Sequence, residues 1–175
     1  MANLYKIIVT GPFSCGKTTF VSTISEIPVV STERKITTED RGVKAETTVA
    51  MDYGRVTLDG RVLHLNGTPG QARFDFMWEI LAHEMNGFIV LVDSTDPPSF
   101  PDASELIKLF SKMKQVPYLV VANKADKSGA VSLGQIRREM EMDENVTVMP
   151  CDSTSKSSVR QVLLQVIELI ERSRQ

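Results

Sequence analysis

The residues best suited to chemistry form the sequence Gly-Pro-Phe-Ser-Cys-Gly-Lys-Thr at 11–18. An apolar, strand-like run precedes it and a helix-like segment follows it, which is the setting of a phosphate-binding loop. Backbone N–H groups in such a loop surround a phosphate at the positive end of the helix. Lys17 is expected to act in catalysis by reaching β- and γ-phosphate oxygens, and the Thr18 hydroxyl to complete the shell of a Mg²⁺ ion. The predicted contacts of this loop are Phe13, Ser14, Cys15, Gly16, Lys17, Thr18 and Thr19.

A second polar sequence, Asn123-Lys124-Ala125-Asp126, directly follows an apolar run at 117–122. In open parallel sheets, ligands bind at the carboxyl ends of the strands. A carboxylate at Asp126 can accept hydrogen bonds from N1–H and the 2-amino group of guanine, a donor pair that adenine lacks. We expect Asn123 to bond the N7 side of the base and hold the loop, and the Lys124 stem to cover the ring face. Together with the phosphate loop, this sequence favours a guanine nucleotide.

Strand-like and helix-like segments alternate along the chain, which indicates an α/β fold. We predict a single domain over 1–175, with a six-stranded, mostly parallel sheet, one antiparallel edge hairpin and about five helices. The hairpin is expected to turn at Asp59-Gly60, between strands at Thr47–Leu58 and Arg61–Asn66. The polar segment 27–46 shows no period and is predicted to be a long loop.

The remaining elements follow from runs of apolar residues. The predicted helices cover about 17–26, 74–86, 99–115, 132–140 and 156–172, and the other strands about 4–10, 87–93, 117–122 and 146–149. The final helix carries an apolar face made of Val159, Val162, Leu163, Val166, Ile167 and Ile170. This face is expected to pack on the sheet.

The composition argues against several classes of function. The net charge is −2, the pI is near 5.7, and Lys and Arg are scattered, so we expect no nucleic-acid-binding surface. Two cysteines without metal-ligand neighbours fit a reducing compartment. No apolar run approaches the roughly 18 residues of a membrane-spanning helix, and neither end matches a lipidation signal. We therefore expect a cytoplasmic protein without a direct membrane anchor.

The order of these motifs resembles that of the small GTPases, and within them the Arf-like branch. Two runs resemble hallmarks of a prokaryotic set of small GTPases associated with roadblock/LC7-domain proteins. They are Thr-Thr-Val-Ala-Met-Asp-Tyr-Gly-Arg at 47–55 and Asn-Gly-Thr-Pro-Gly-Gln at 66–71. The resemblance covers about residues 4–172. It implies a Ras-like P-loop fold, GTP or GDP with Mg²⁺ as ligands, and a roadblock/LC7-domain protein as a partner.

The resemblance also implies roles for individual residues. Gln71 would be catalytic by orienting the attacking water, and the N–H group of Gly70 would bond the γ-phosphate. Thr48, with Thr47 as the alternative, would bind Mg²⁺ and sense the γ-phosphate. The last base-contacting loop would consist of Cys151, Asp152 and Ser153. An ordinary strand-to-helix turn is the alternative for that loop.

The chain departs from the small-GTPase pattern at two positions. Gly67 replaces the aspartate that normally supports the water shell of Mg²⁺. Asp52, on the facing strand of the hairpin, is expected to take its place, and an exposed edge-strand residue is the alternative. Phe13 occupies a position that is small in Ras-like proteins, where it would crowd an arginine supplied by an activating protein. Intrinsic hydrolysis is therefore expected to be slow.

The sequence thus predicts a guanine-nucleotide switch that hydrolyses GTP to GDP slowly and is regulated by a partner. Its switching segments would be 27–48 and 67–76. A non-hydrolysing module that holds GTP or GDP as a scaffold ligand is the alternative favoured by Gly67 and Phe13, whereas Gln71 favours the enzyme. A P-loop ATPase or kinase is a third alternative, which would require a preference for adenine.

Overall fold

The structure is a computed structural model that describes residues 3–40, 43–68 and 75–175, with the backbone alone at 30–40, 43–51, 75–78 and 80. Strands and helices alternate along these ranges, apart from three successive strands between the first two helices. The strands are β1 (Asn3–Thr10), β2 (Val30–Asp40), β3 (Val43–Leu58), β4 (Arg61–Gly67), β5 (Gly87–Asp93), β6 (Tyr118–Asn123) and β7 (Val148–Cys151). The α-helices are α1 (Lys17–Ile24), α2 (Asp75–Glu84), α3 (Phe100–Met113), α4 (Leu133–Glu139) and α5 (Lys156–Ser173). A 3-10 helix (Pro97–Ser99) leads into α3.

The described strands form one sheet in the order β2-β3-β4-β1-β5-β6-β7. β1 pairs in parallel with β4 and β5, and parallel pairing continues through β6 to β7. β2, β3 and β4 pair antiparallel at the other side. The predicted α/β fold, with a mostly parallel sheet, an antiparallel edge hairpin and five helices, is confirmed. The sheet has seven strands in the described ranges rather than the six predicted.

Alternate side chains of the central strands face two separate cores. On β1, Ile7 and Val9 pack into the core that α1 and α5 cover, whereas Ile8 packs into the core that α3 and α4 cover. Strands β5 and β6 alternate in the same way, and burial on both faces explains their continuous apolar sequence. The predicted apolar face of α5 is buried throughout, at Val159, Val162, Leu163, Val166, Ile167 and Ile170.

The predicted long loop at 27–46 is wrong, because most of this segment that the structure describes is strand. β2 covers Val30–Asp40 and pairs antiparallel with β3, from Val30 opposite Tyr53 to Asp40 opposite Val43. β2 lies at the edge of the sheet. Backbone hydrogen bonds to a single neighbour suffice for such a strand, and polar edge strands are common because they discourage aggregation. A polar sequence without alternation is therefore compatible with this strand, although it gave no periodic signal.

The turn between β3 and β4 agrees with the prediction. Asp59 and Gly60 both have positive φ angles, of 49° and 79°, as a two-residue hairpin turn requires. Each predicted helix ends within two residues of its observed bounds. Within the described ranges, none of the helices combines the length and the apolar character needed to cross a membrane.

Candidate nucleotide-binding site

The phosphate loop joins the end of β1 to the start of α1. Its backbone passes through positive φ angles at Ser14 and Gly16, 63° and 106°. A Cβ atom built on Gly16 would lie only 2.4 Å from Nδ2 of Asn123. The second glycine of the motif is therefore needed for its backbone conformation and for the close approach of Asn123, in the loop at 123–126 that the sequence predicts to contact the base (the base loop).

The Lys17 side chain folds along the phosphate loop. Its Nζ donates hydrogen bonds to the carbonyl oxygens of Gly11 at 2.7 Å and Pro12 at 3.1 Å. Burial lowers the pKa of the Lys17 ammonium below its usual value, and burial also raises the pKa of the neighbouring Cys15 thiol. Phosphate oxygens would be stronger partners for this ammonium than the two carbonyl groups.

The phosphate loop opens into a cleft of about 480 Å³, which is within the usual size range of ligand pockets. Phe13 stands at its rim with 76% of its surface exposed. A larger cleft of about 610 Å³ lies near the starts of β5 and β6 and contains none of the predicted site residues. The smaller cleft is lined by Phe13, Ser14, Cys15, Gly16, Lys17, Thr18, Thr19, Asp52, Gly67, Thr68 and Lys124. It therefore combines the phosphate loop, the β3–β4 hairpin and the base loop.

The structure brings Asp52 to the phosphate loop. The Thr18 hydroxyl donates a hydrogen bond of 2.5 Å to Oδ2 of Asp52. Asp52 lies opposite Gly67 in the pairing of β3 with β4, and a Cβ atom built on Gly67 would lie 3.3 Å from Cβ of Asp52. The carboxylate therefore sits on β3, beside the position where β4 has a glycine.

The oxygens of Thr18 and Asp52 suit Mg²⁺, which accepts a few protein oxygens and fills its shell with water and phosphate. In the described part of the chain, no three His, Cys, Asp or Glu side chains group closely enough to enclose a metal ion by themselves. Thr18 and Asp52 would therefore need ligands from outside the described residues to complete the coordination of a metal ion. The pair fits an ion that arrives with a nucleotide.

The side chain of Asn123 links its own loop to the phosphate loop and to the loop that follows β7. Its Nδ2 donates to the carbonyl oxygen of Cys15 at 2.9 Å, and its Oδ1 accepts from the Ser153 backbone N–H at 3.1 Å and hydroxyl at 2.8 Å. Asn123 is 3% exposed and Ser153 4% exposed, so water competes little for these bonds. The structure therefore supports the loop-holding role expected of Asn123.

Lys124 has an ion-pair partner that the sequence analysis did not identify. Its Nζ lies 2.8 Å from Oδ2 of Asp93, at the end of β5. Burial alone would raise the pKa of the Asp93 carboxyl, but bonds from Lys124 and Thr95 outweigh it and hold that pKa below its usual value. The sequence signal was present, because Asp93 ends a buried strand next to the strand that precedes Lys124.

The remaining base-site residues lie at the ends of β6 and β7. The Asp126 side chain is about half exposed, and its Oδ2 lies 3.9 Å from Nζ of Lys127. Oδ1 of Asp152 accepts from the backbone N–H and the hydroxyl of Thr154, and these bonds lower the pKa of the Asp152 carboxyl. Cys151 is buried, and burial raises the pKa of its thiol.

Several predicted residues cannot be placed in the site. Gly70 and Gln71 lie outside the described residues. Thr48 and Thr47 lie within β3, opposite Lys35 and Ile36 of β2, and the description of these positions covers the backbone alone. Their roles stay predictions.

The comparisons with known proteins agree with this architecture. The family described as "Conserved hypothetical ATP binding protein" matches residues 29–173. An uncharacterized protein of Methanocaldococcus jannaschii is 35% identical over 122 residues, covering 69% of this chain and 70% of the relative. ADP-ribosylation factor-like protein 8b of Arabidopsis thaliana is 31% identical over 123 residues, covering 66% of this chain and 67% of the relative.

A solved structure also resembles the chain along nearly its whole length. The structure of the Arl6 small GTPase from Trypanosoma brucei, with the bound nucleotide analogue GppNp, aligns with a TM-score of 0.75. The alignment covers 97% of this chain and 99% of that chain at 17% identity, so it shows the fold. The chain belongs to the family of conserved hypothetical ATP-binding proteins, and its relatives include Arf-like small GTPases.

Proposed function

We propose that the chain is a guanine-nucleotide switch that hydrolyses GTP to GDP slowly and is regulated by a partner protein. The strongest support comes from Asn123. This one buried side chain holds the phosphate loop, through Cys15, against the loop of Ser153. The phosphate-binding and base-binding loops are thereby kept side by side, which is the arrangement that a nucleotide needs.

The choice of guanine depends on Asp126. Half of its side chain is exposed, so its carboxylate is accessible to the N1–H and 2-amino donors of guanine. The name of the matching family favours adenine as a second candidate. Adenine has no such donor pair and would leave the carboxylate unpaired once the base covers it, which costs on the order of 1–3 kcal/mol or more.

Mg²⁺ would be held from the protein side by Thr18 and Asp52, with Thr48 as a third contributor. The hydrogen bond between Thr18 and Asp52 keeps both oxygens at the mouth of the phosphate loop. When bound with the nucleotide, Mg²⁺ neutralises charge on the phosphates. Asp52 would thus support the water shell of Mg²⁺ from β3, in place of the aspartate that small GTPases usually have at the position of Gly67.

The proposed hydrolysis depends on Gln71 and Lys17, and its low rate on Phe13. Gln71 would orient the attacking water, and Lys17 would stabilise charge on the phosphates. The exposed Phe13 at the rim of the cleft would obstruct an arginine brought by an activating protein. A module that binds GTP without hydrolysing it is the second candidate, supported by the same Phe13.

The partner and the location are proposed from the sequence resemblance and composition alone. A roadblock/LC7-domain protein would be the regulator or a member of the same complex. We place this complex in the cytoplasm, and the effector, the activating protein and the exchange factor remain to be identified by experiment.

The experiment measures GTP binding by the purified chain at increasing Mg²⁺, followed by phosphate release in a single turnover. Asp52→Asn should raise the Mg²⁺ concentration needed at least about tenfold, as loss of a supporting ligand does. Moving the carboxylate, with Asp52→Gly and Gly67→Asp together, should recover part of the loss. Asp59→Asn, at the exposed turn of the same hairpin, is the matched control.

Each outcome separates the alternatives. Unchanged Mg²⁺ dependence in Asp52→Asn would contradict the role of Asp52. Guanine-nucleotide binding without any phosphate release would leave a scaffold module rather than an enzyme. Tighter binding of ATP than of GTP would contradict the proposed function as a whole.

A further inference from the structure

Asp93 and Lys124 form an ion pair between two neighbouring strand ends. Asp93 is the last residue of β5, and Lys124 follows the last residue of β6. Nζ of Lys124 lies 2.8 Å from Oδ2 of Asp93. The side chain of Asp93 is only 13% exposed, whereas that of Lys124 is 40% exposed. The pair therefore consists of a nearly buried carboxylate and a cation that reaches it from the cleft.

The carboxylate of Asp93 is itself held in place. Its other oxygen, Oδ1, accepts hydrogen bonds from the Thr95 backbone N–H at 2.9 Å and from the Thr95 hydroxyl at 2.6 Å. Both oxygens thus have defined partners, so rotation of this carboxylate would break bonds on either side. Asp93 is a fixed acceptor and not a mobile surface charge.

Lys124 is the residue that needs such an anchor. Its backbone has a positive φ of 59°, and its side chain lines the same cleft as the phosphate loop. A lysine side chain has a flexible four-carbon stem and loses considerable rotamer entropy when it is confined. An ion pair formed before the nucleotide arrives removes part of that cost from binding.

We infer that Asp93 is a positioning residue for the nucleotide, which acts by holding the Lys124 side chain along the wall of the cleft and so slows nucleotide release. This inference rests on the proposed function, because the ligand is a guanine nucleotide. Its chemistry is specific to the pair: a neutral residue at 93 leaves the Lys124 ammonium without its fixed partner. The stem is then free to leave the wall of the cleft.

The test measures release of a fluorescent GDP from the purified full chain, in Asp93→Asn, in Lys124→Met and in the double variant. Asp93→Asn keeps an oxygen for Thr95 but removes the charge. Lys124→Met keeps an apolar stem but removes the ammonium. We expect release to be about fivefold faster in each single variant, the upper range for a partly exposed ion pair. The double variant should be no faster than Lys124→Met alone.

The controls use an ion pair without a role in the cleft. Glu105 and Lys108 form an exposed pair on α3, so Glu105→Gln should leave the release rate unchanged. A purely structural role for Asp93 would lower the melting temperature and leave release, measured far below it, at the rate of the unchanged chain. Should Asp93→Asn fail to fold, an unchanged release rate in Lys124→Met would contradict the inference equally well.

Two further outcomes distinguish a failure of this inference from a failure of the proposed function. Multiplicative effects of the two changes would mean that Asp93 does not act through Lys124, and would overturn the inference while the proposed function stands. Failure of the unchanged chain to bind GDP would overturn the proposed function and this inference with it.

Discussion

Replacing Asn123 with alanine should destabilise the fold as well as the site, because this side chain joins three loops. The change removes the bond to the Cys15 carbonyl and two bonds from Ser153. Each neutral hydrogen bond contributes about 1 kcal/mol, so the three together give a loss of about 3 kcal/mol. The groups left behind are buried, and this figure increases if water cannot reach them.

A loss of this size is measurable without any ligand. For a chain of this length, each kcal/mol lowers the melting temperature by roughly 2–4 °C, so Asn123→Ala should melt roughly 6–12 °C lower. Urea unfolding of the nucleotide-free chain gives the free energy of unfolding directly. Asn145→Ala, at an exposed asparagine, is the matched control and should change the free energy by less than about 0.5 kcal/mol.

A double-mutant cycle separates the contribution of Ser153. Ser153→Ala removes the hydroxyl but keeps the backbone N–H, so its coupling with Asn123→Ala should be about 1 kcal/mol. An equal free energy of unfolding in Asn123→Ala and Asn145→Ala would refute the linking role of Asn123. Additive effects of the two changes at 123 and 153 would refute it as well, since the bond between these side chains would then contribute nothing.

Two further predictions concern stability away from the cleft. Gly54→Ala should lower the free energy of unfolding by about 1–3 kcal/mol in urea, because its Cβ would lie 2.6 Å from Cγ1 of Val21. Gly134→Ala, where the new Cβ atom in α4 would lie 3.5 Å from Nη1 of Arg138, should be neutral or stabilising, and equal losses at both positions would contradict the overpacking argument. Hydrogen bonds from Arg61 are the main cause that holds the pKa of Glu171 below its usual value of 4.5. The ionised Glu171 therefore contributes fully to the free energy of unfolding above about pH 4.5, and this contribution is lost as the pH falls through the folded-state pKa. Urea unfolding from pH 6 to pH 3 should therefore show the difference between Glu171→Gln and the unchanged chain shrinking below pH 4.5, and a constant difference would count against this linkage.

The central sheet could be predicted from sequence because its signals are local. β5 and β6 are buried on both faces, so they are continuous apolar runs. The α5 face repeats at the helical period and is buried as expected. The phosphate loop is specified by its glycines and its lysine, and Asp59-Gly60 by its turn chemistry. Each of these features can be recognised from a short stretch of sequence.

The missed features depend on contacts between distant parts of the chain. β2 is held by pairing with β3 at the sheet edge, which imposes no apolar pattern on its own sequence. The ion pair of Asp93 and Lys124 joins residues 31 positions apart, and only the parallel pairing of β5 with β6 makes them neighbours. The role of Asp52 is a prediction from the loss of an aspartate at 67, whereas its hydrogen bond with Thr18 is visible only in the structure.

The most direct test of the central claim is competition between GTP and ATP, which carry the same phosphates, for the purified chain with Mg²⁺, repeated with Asp126→Asn. We expect GTP to bind at least about 100-fold more tightly than ATP, because only guanine satisfies the Asp126 carboxylate. Asp126→Asn should abolish that preference and favour xanthine nucleotides, whose 2-oxo group can accept from the amide. Equal or tighter binding of ATP by the unchanged chain would contradict the account, and would support the adenine specificity in the name of its family.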